Sequence, residues 1–411
     1  MEAHLADWIK GTPDGIEAES ILRTCVHCGF CNATCPTYQL LGDELDGPRG
    51  RIYQIKQMLE GQEPGASTQL HLDRCLTCMN CETTCPSGVR YGRLVDIGRA
   101  VVDERVPRVP SDARRRAFWR FVLTRRWIFD PAVRLGRLFR GMLPARLKSK
   151  LPAERDAGAI PQRAHARKVL LLNGCVQPAL IPAIDAATAR VLDALGIQAL
   201  VEPNSGCCGA VDYHLTAHAA AQAAARRNID AWWPHIERGA EAIVINASGC
   251  GAMVKDYGQL LGANANYAEK ARRVSELTRD IAEFLTPFAN VLARRIEKAE
   301  KPRPRVAFHP PCTLQHTQKL RGVAESLLSA LGAELIPVAD SHLCCGAAGT
   351  YALLQPELSQ QLRSRKLESL QHGNPDLILS ANIGCLTHLE TGTGIPVRHW
   401  IEWIDQRICA T

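Results

Sequence analysis

The sequence predicts an α+β multidomain chain: a helical domain built around cysteine loops, then two repeated α/β cysteine-rich domains. Three observations carry this reading. Two twelve-residue runs, at 25–36 and 75–86, share one cysteine spacing. From residue 167 onward the chain passes twice through the same order of apolar runs and cysteines. Between these parts lies a Cys-free stretch rich in Arg and aromatic residues. The expected segments are therefore 1–105, 106–166, 167–300 and 301–411.

Composition sets the outer bounds. A chain of 411 residues has room for two to four domains. Charged residues make up 22% and hydrophobic ones 46%, an ordinary globular balance. No uninterrupted apolar stretch approaches the roughly eighteen residues of a membrane span. The opening MEAHLADWIKGTPDG carries acids and no apolar centre, unlike a secretory signal. A cytosolic protein is expected. Its seventeen cysteines would then be reduced, which favours metal binding over disulfides.

Residues 25–36 read CVHCGFCNATCP and residues 75–86 read CLTCMNCETTCP. Both follow C-x2-C-x2-C-x3-C-P, the run of bacterial two-cluster ferredoxins. Three cysteines spaced by two residues wrap a tight loop around three corners of a cube. The fourth lies a turn further on and reaches the neighbouring cluster. One [4Fe–4S] cluster is thus expected on Cys25, Cys28, Cys31 and Cys85, and a second on Cys75, Cys78, Cys81 and Cys35. Pro36 and Pro86 turn the chain aside after each run. Zinc also takes Cys-x-x-Cys pairs, but it explains neither the third cysteine nor the trailing Cys-Pro. Residues 1–105 therefore read as a helical two-[4Fe–4S] ferredoxin-type domain, suited to electron transfer and without an open coordination site for a substrate. His27, inside the first loop, is either a solvent-facing loop residue or a hydrogen-bonding influence on a potential.

Each later repeat opens with an apolar strand-like run, 168–174 or 305–309, that leads to Cys175 or Cys312. A helical pattern follows, then a short run ending in Cys207-Cys208-Gly209 or Cys344-Cys345-Gly346. A further apolar strand leads to Cys250 or Cys385. The offsets between copies are 137, 137 and 135 residues. Alternating strand and helix patterns predict parallel α/β units, in which ligands gather beyond the C-terminal ends of the strands. Each repeat thus offers four thiols as candidate ligands of an additional cluster: Cys175, Cys207, Cys208 and Cys250, then Cys312, Cys344, Cys345 and Cys385. Buried core thiols are the alternative.

The Cys…Cys-Cys-Gly…Cys pattern resembles the cysteine-rich domains of the heterodisulfide reductase and anaerobic glycerol-3-phosphate dehydrogenase families. With stretches such as CVHCGFCNATCPTYQLLGDELDGPRGRIYQIKQ, ASGCGAMVKDYG, HLCCGAAGTYAL and ANIGCLTHL, the whole chain resembles the iron–sulfur subunits of bacterial glycolate oxidase. That resemblance implies a subunit of a glycolate dehydrogenase complex, peripheral on the cytoplasmic face of the inner membrane. Flavin-containing partner subunits, carrying FAD, would oxidise glycolate to glyoxylate. This chain would relay the electrons to a membrane quinone pool or another membrane acceptor. The alternative, of heterodisulfide-reductase type, is a catalytic reductase subunit with its chemistry at the repeats. In the family's fuller form each repeat ends in Cys-x-x-Cys, whereas here Met253 and His388 stand at the final position. Imidazole can ligate iron, so His388 and His309 are further candidates. Cys409 is left over and reads as a free thiol.

The net charge of +7 is unevenly placed. Between Arg105 and Lys150, twelve Arg and two Lys face only Asp112 and Asp130, so the rest of the chain is net acidic. Interleaved Phe118, Trp119, Phe121, Trp127, Phe129 and Phe139 suit either an acidic partner subunit or an anionic membrane surface. No nucleic-acid motif accompanies them, so no nucleic acid is expected. Neither a Gly-x-Gly-x-x-Gly between strand and helix nor a phosphate-binding P-loop is present. The oxidation of substrate is therefore expected on other polypeptides.

Overall fold

The computed structural model describes residues 1–142, 151–296 and 303–408. They form two compact units. The first comprises Met1–Ala117 with His342–Lys366, and the second Phe118–Ser341 with the chain from Leu367 onward.

The first unit is helical. Helix α1 (Pro13–Thr24) starts where the Thr12 hydroxyl accepts the Gly15 N–H at 3.0 Å. Pro13 sits in the first turn, where its missing N–H costs nothing. The helix stops at Cys25, so the first cysteine loop begins where the helix ends. Helices α2 (Phe30–Ala33) and α3 (Pro36–Leu41) carry the rest of that run. Then follow α4 (Pro48–Leu59), α5 (Ala66–Asp73), α6 (Asn80–Thr84) in the second loop and α7 (Tyr91–Arg105). Ile52, Ile55 and Leu59 of α4 recur at helical spacing and meet Leu94 and Val95 of α7 and Leu22 of α1 in one buried core. Each such side chain contributes about 1.5–3 kcal/mol on burial. Within the same unit, Asn80 Nδ2 donates to the carbonyl of His342 at 3.4 Å, and Arg115 to that of Leu354 at 3.2 Å.

The basic stretch is helical as well, as α8 (Pro110–Thr124) and α9 (Arg126–Leu138). Its prolines do not prevent this. Pro110 occupies the first residue of α8, a position that needs no N–H, and α9 tolerates Pro131 in its interior.

The second unit holds two four-stranded parallel sheets among the described residues. The first contains β1 (Arg167–Leu171), β2 (Ile197–Val201), β3 (Ile243–Ile245) and β4 (Thr278–Asp280), in the spatial order β2-β1-β3-β4. The second contains β5 (Arg305–His309), β6 (Glu334–Leu335), β7 (Leu377–Ser380) and β8 (Val397–His399), ordered β6-β5-β7-β8. The second copy thus repeats the first strand for strand. Continuous apolar runs such as Ile243-Val244-Ile245 are buried, as central parallel strands require. In this order the winding direction reverses between the first and third strands, the place where open α/β sheets bind ligands. Cys175, Cys207-Cys208 and Cys250 follow β1, β2 and β3; Cys312, Cys344-Cys345 and Cys385 follow β5, β6 and β7.

The two sheets are tied to each other inside this unit. The Ser248 N–H donates to the carbonyl of Ala381 at 3.2 Å, and Arg190 pairs with Asp405 at 2.6 Å. The His399 Nε2–H donates to the carbonyl of Asn246 at 2.9 Å, while its Nδ1 accepts the Ile401 N–H at 3.2 Å. Burial holds His399 down to about 3, so the ring is neutral and keeps the tautomer that both bonds need.

Candidate iron–sulfur sites

Two cavities in the first unit collect the eight N-terminal cysteines. Cys25, Cys28, Cys31 and Cys85 line one together with Cys81. Cys35, Cys75, Cys78 and Cys81 line the other. The final cysteine of each run therefore reaches the cavity of the other run, the crossover expected from the spacing.

The loops share an unusual backbone. The residue before the second cysteine and the residue after it are both left-handed: His27 (φ 58°) and Gly29 (φ 87°), then Thr77 (φ 50°) and Met79 (φ 59°). Such a conformation costs a non-glycine residue roughly 1–3 kcal/mol and persists where the surroundings impose it. Here it coils the chain around its sulfurs, so that the Thr77 N–H donates to Cys75 Sγ at 3.4 Å. His27 turns its Nδ1 to Met1 Sδ at 3.1 Å. Burial, then the nearby Arg49 charge, lowers its pKa.

The donor set fits iron–sulfur clusters. No carboxylate lines either cavity, and soft thiolates select such clusters or zinc. Three sulfurs come from one loop and the fourth from the other, rather than as the two pairs typical of zinc sites. Burial pushes the Cys31 thiol up to about 11 and the Cys81 thiol well above its usual value, so a cationic core would supply the charge that holds these sulfurs as thiolates.

The two sites differ in what surrounds the sulfurs. At the second, the Tyr91 hydroxyl donates to Cys75 Sγ at 3.5 Å, and the Thr37 hydroxyl lies 3.2 Å from Cys35 Sγ. Arg51 is only 1% exposed; its Nη1 reaches Cys35 Sγ at 4.0 Å and its Nε donates to the carbonyl of His71 at 2.7 Å. Arg99, also buried, donates to the carbonyls of Leu72 at 2.9 Å and Cys75 at 2.6 Å. Burial alone would raise the Cys75 thiol. The charges of Arg51 and Arg99 and the hydrogen bonds from Tyr91 and Thr77 outweigh it and hold the thiol below its usual value. The first site lies nearer solvent. Cys28 is exposed, as are Val26 and Phe30, and burial leaves Cys25 raised.

In the first repeat Cys175, Cys207, Cys208 and Cys250 come together. Cys207 exchanges hydrogen bonds with Cys175 and with Cys208, and Cys208 with Cys250. Hydrogen bonds from Cys175 and then Cys208 push the Cys207 thiol well below its usual value, and those two thiols rise correspondingly. A frame of buried polar groups holds the pair of adjacent cysteines. Asn228 accepts the Gly206 N–H at 2.8 Å and donates to the carbonyl of Cys207 at 3.0 Å. The Tyr257 hydroxyl donates to the carbonyl of Cys208 at 2.8 Å, and Arg227 donates to that of Cys207 at 2.9 Å. Gly209 is left-handed (φ 92°), which lets the chain turn directly after the pair. Met253 is buried in the hydrophobic core of this repeat together with Cys208. Sequence reading missed Asn228 and Tyr257, since nothing around either residue marks it.

In the second repeat Cys312 and Cys385 are buried within the second unit, and Asn382 Nδ2 donates to Cys385 Sγ at 3.5 Å. Cys344 and Cys345 are buried within the first unit, where the Gly346 N–H donates to Cys344 Sγ at 3.4 Å. His309 ends β5 and is 1% exposed; His388 lies half-buried on the helix Ile383–Glu390. Cys409 lies outside the described residues.

Phe118, Phe121, Trp127 and Phe139 of the basic stretch are exposed, and Trp119 and Phe129 half-buried. Among the described residues no helix is long and apolar enough to cross a membrane.

Comparison with known proteins agrees with this layout. Residues 21–89 match the family described as a 4Fe-4S dicluster domain, and residues 169–255 and 306–390 each match the Cysteine-rich domain. The chain is 54% identical over 411 residues to the "Glycolate oxidase iron-sulfur subunit" of Escherichia coli (strain K12), covering 99% of both chains. It is 28% identical to the "Probable glycolate oxidase iron-sulfur subunit" of Bacillus subtilis (strain 168), across 91% of this chain and 89% of that one. The "Lactate utilization protein A" of Geobacillus thermodenitrificans (strain NG80-2) is 28% identical over 58% of this chain and 99% of its own.

Proposed function

The chain belongs to the family of glycolate oxidase iron–sulfur subunits, and on that premise we propose that it serves a glycolate dehydrogenase as its electron-transfer subunit. In this reading Cys25, Cys28, Cys31 and Cys85 hold one [4Fe–4S] cluster, and Cys75, Cys78, Cys81 and Cys35 hold the second. Bound there, a cubane supplies one-electron redox chemistry and no open site for substrate. The observation that carries the reading is the exchange of the last sulfur between two thiol-lined cavities. Tyr91, Thr37 and the Thr77 N–H orient and solvate the sulfurs of the second set.

Flavin-containing partner subunits carry FAD and oxidise glycolate to glyoxylate, and a membrane quinone pool or other membrane acceptor receives the electrons. The chain is peripheral on the cytoplasmic face of the inner membrane. The exposed rings and arginines of α8 and α9 support this, since such a surface suits anionic headgroups. The linked thiols of the first repeat, three of them buried and Cys250 half-buried, support a further cluster on Cys175, Cys207, Cys208 and Cys250. The duplicated pattern extends the proposal to Cys312, Cys344, Cys345 and Cys385.

Anaerobic purification with iron and sulfide counting tests the ligand sets. About sixteen irons are expected with all four sets filled, and about eight would confine clusters to the N-terminal cysteines. A colourless, zinc-loaded chain would overturn the proposal. Glycolate-dependent reduction should appear only when the flavin subunits are added, and glycolate oxidation by the isolated chain would equally sink it.

A further inference from the structure

The surroundings of the two N-terminal cysteine sets are unequal in charge. One-electron reduction of a cluster adds one negative charge and leaves a nearby guanidinium protonated. The energy of that added charge depends on fixed cations and on donors to sulfur, which are levers on cluster potential. Arg99 is 7% exposed and donates to the carbonyls of Leu72 and Cys75; its hydrogen bonds and ion pairs among the described residues include no carboxylate. No salt bridge of its own among the described residues neutralises it. Arg51 reaches Cys35 Sγ at 4.0 Å, but Asp46 offsets it at 3.3 Å. Asp46 in turn is shared with Arg74 at 2.8 Å, which leaves the group with an excess of positive charge. The Tyr91 hydroxyl and the Thr77 N–H both donate to Cys75 Sγ.

At the first set the half-buried Met1 ammonium donates to the carbonyl of Cys25 at 2.5 Å, and the nearby side-chain cation is Arg49. It is tied to Glu44 at 2.6 Å, and its side chain is 36% exposed. Exposure of Cys28 lets water stabilise added charge there, which works in the opposite direction. The buried cations win. A charge acts about fourfold more strongly through an effective dielectric near 20 than through water near 80, and Arg99 is buried against the carbonyl of Cys75 with no carboxylate among the described residues paired to it.

Resting on the reading that both cysteine sets hold [4Fe–4S] clusters, we propose that Arg99, assisted by Arg51 and the Tyr91 hydroxyl, makes the Cys75/Cys78/Cys81/Cys35 set the higher-potential of the two. Arg99 is a positioning residue in this role, since it touches the Cys75 carbonyl and not the cluster. Electrons shared between the two sets then reside on the second.

The test is potentiometric EPR on the full-length chain, purified anaerobically, with iron counting and circular dichroism as folding controls. Arg99→Gln should lower one of the two N-terminal midpoints and leave the other in place. Electron sharing between the sets should shift at least tenfold, which is 59 mV for a one-electron couple. Arg99→Lys should retain most of the wild-type separation, because it keeps the charge. Tyr91→Phe removes a single hydroxyl and should lower the same midpoint, which keeps the test decisive if Arg99→Gln fails to fold. Equal shifts of both midpoints, or no shift in either Tyr91→Phe or a folded Arg99→Gln, would overturn the proposal. Wild-type protein with no cluster signal would instead remove the reading on which it rests.

Discussion

Asp46 offers a sharp test of how the cysteine loops are held in place. Its carboxylate is fully buried and faces Arg51 at 3.3 Å, His71 Nδ1 at 3.1 Å and Arg74 at 2.8 Å. The Arg51 side chain is 1% exposed, whereas that of Arg74 is 27% exposed. Removing one partner of a buried ion pair costs about 3–5 kcal/mol, because the other charge is left desolvated and uncompensated. Coulomb's law through an effective dielectric of 20 gives about 4 kcal/mol for charges 4 Å apart, the same size. Arg74 can turn its charge to water, so losing its pairing is worth the 0.2–1 kcal/mol or so of a surface pair.

Asp46→Ala should therefore destabilise the chain by about 4 kcal/mol, and Arg74→Ala by about 1 kcal/mol or less. Asp46→Asn keeps one acceptor and should fall between them. Anaerobic urea denaturation, followed by circular dichroism and by the visible absorbance of the bound clusters, measures all three from midpoints at constant slope. A second comparison separates lost attraction from orphaned charge. If the cost is mainly the stranded guanidinium, adding Arg51→Met to Asp46→Ala should recover part of the loss, as a coupling of about 1–3 kcal/mol. The reasoning is refuted if Asp46→Ala is no worse than Arg74→Ala.

Three further outcomes are expected. Burial raises Asp280 from 3.8 to about 7. A raised carboxyl favours the fold fully below about pH 4 and loses that contribution as pH rises through 7, so Asp280→Asn should flatten the loss of stability between those limits in denaturation series. Gly346 is left-handed (φ 88°) and an added Cβ would lie 2.6 Å from the carbonyl oxygen of Ser359, whereas at Gly209 the nearest atom is the Ala221 oxygen at 3.1 Å. Gly346→Ala should thus lower stability by about 2–3 kcal/mol in thermal unfolding, and by more than Gly209→Ala. Cys35→Ser and Cys78→Ser should disturb one EPR signal and Cys85→Ser and Cys28→Ser the other; a match of Cys35 with Cys28 instead would refute the crossover.

Much of this arrangement is legible in the sequence because it depends on spacing. The exchange of Cys35 and Cys85 follows from two runs of the same cysteine spacing, and the parallel sheets follow from apolar segments alternating with helical ones in two copies. What escapes is what depends on tertiary context. Arg51 stands in Pro48-Arg-Gly-Arg51, a run that reads as an ordinary charged helix start, yet its side chain is buried beside Cys35. Asn228 and Tyr257 lie 21 and 49 residues beyond the cysteines whose carbonyls they hold. Left-handed backbone at His27, Thr77 and Met79 defies the residue types found there, since only Gly29 of the four positions favours it. The helices of the basic stretch are not marked by its charge and aromatic pattern, and its prolines occupy a first turn and a tolerated interior position.

The absence of a fifth thiol in the first repeat becomes intelligible once Met253 is placed. Residues 250 and 253 share the helix Ser248–Lys255, three apart and therefore on neighbouring faces of one turn. Met253 is buried with Cys208, Tyr257 and Trp232 in the hydrophobic core, where a flexible thioether fills space well. A cysteine in its place would surrender part of that packing, whereas the other four thiols are already linked through Cys207 and Cys208. Left-handed Gly209 turns the chain directly after the adjacent pair, and Asn228 and Tyr257 hold its two carbonyls. Four thiols that follow three strands thus match the four-thiolate ligand set proposed for this repeat without calling on a fifth.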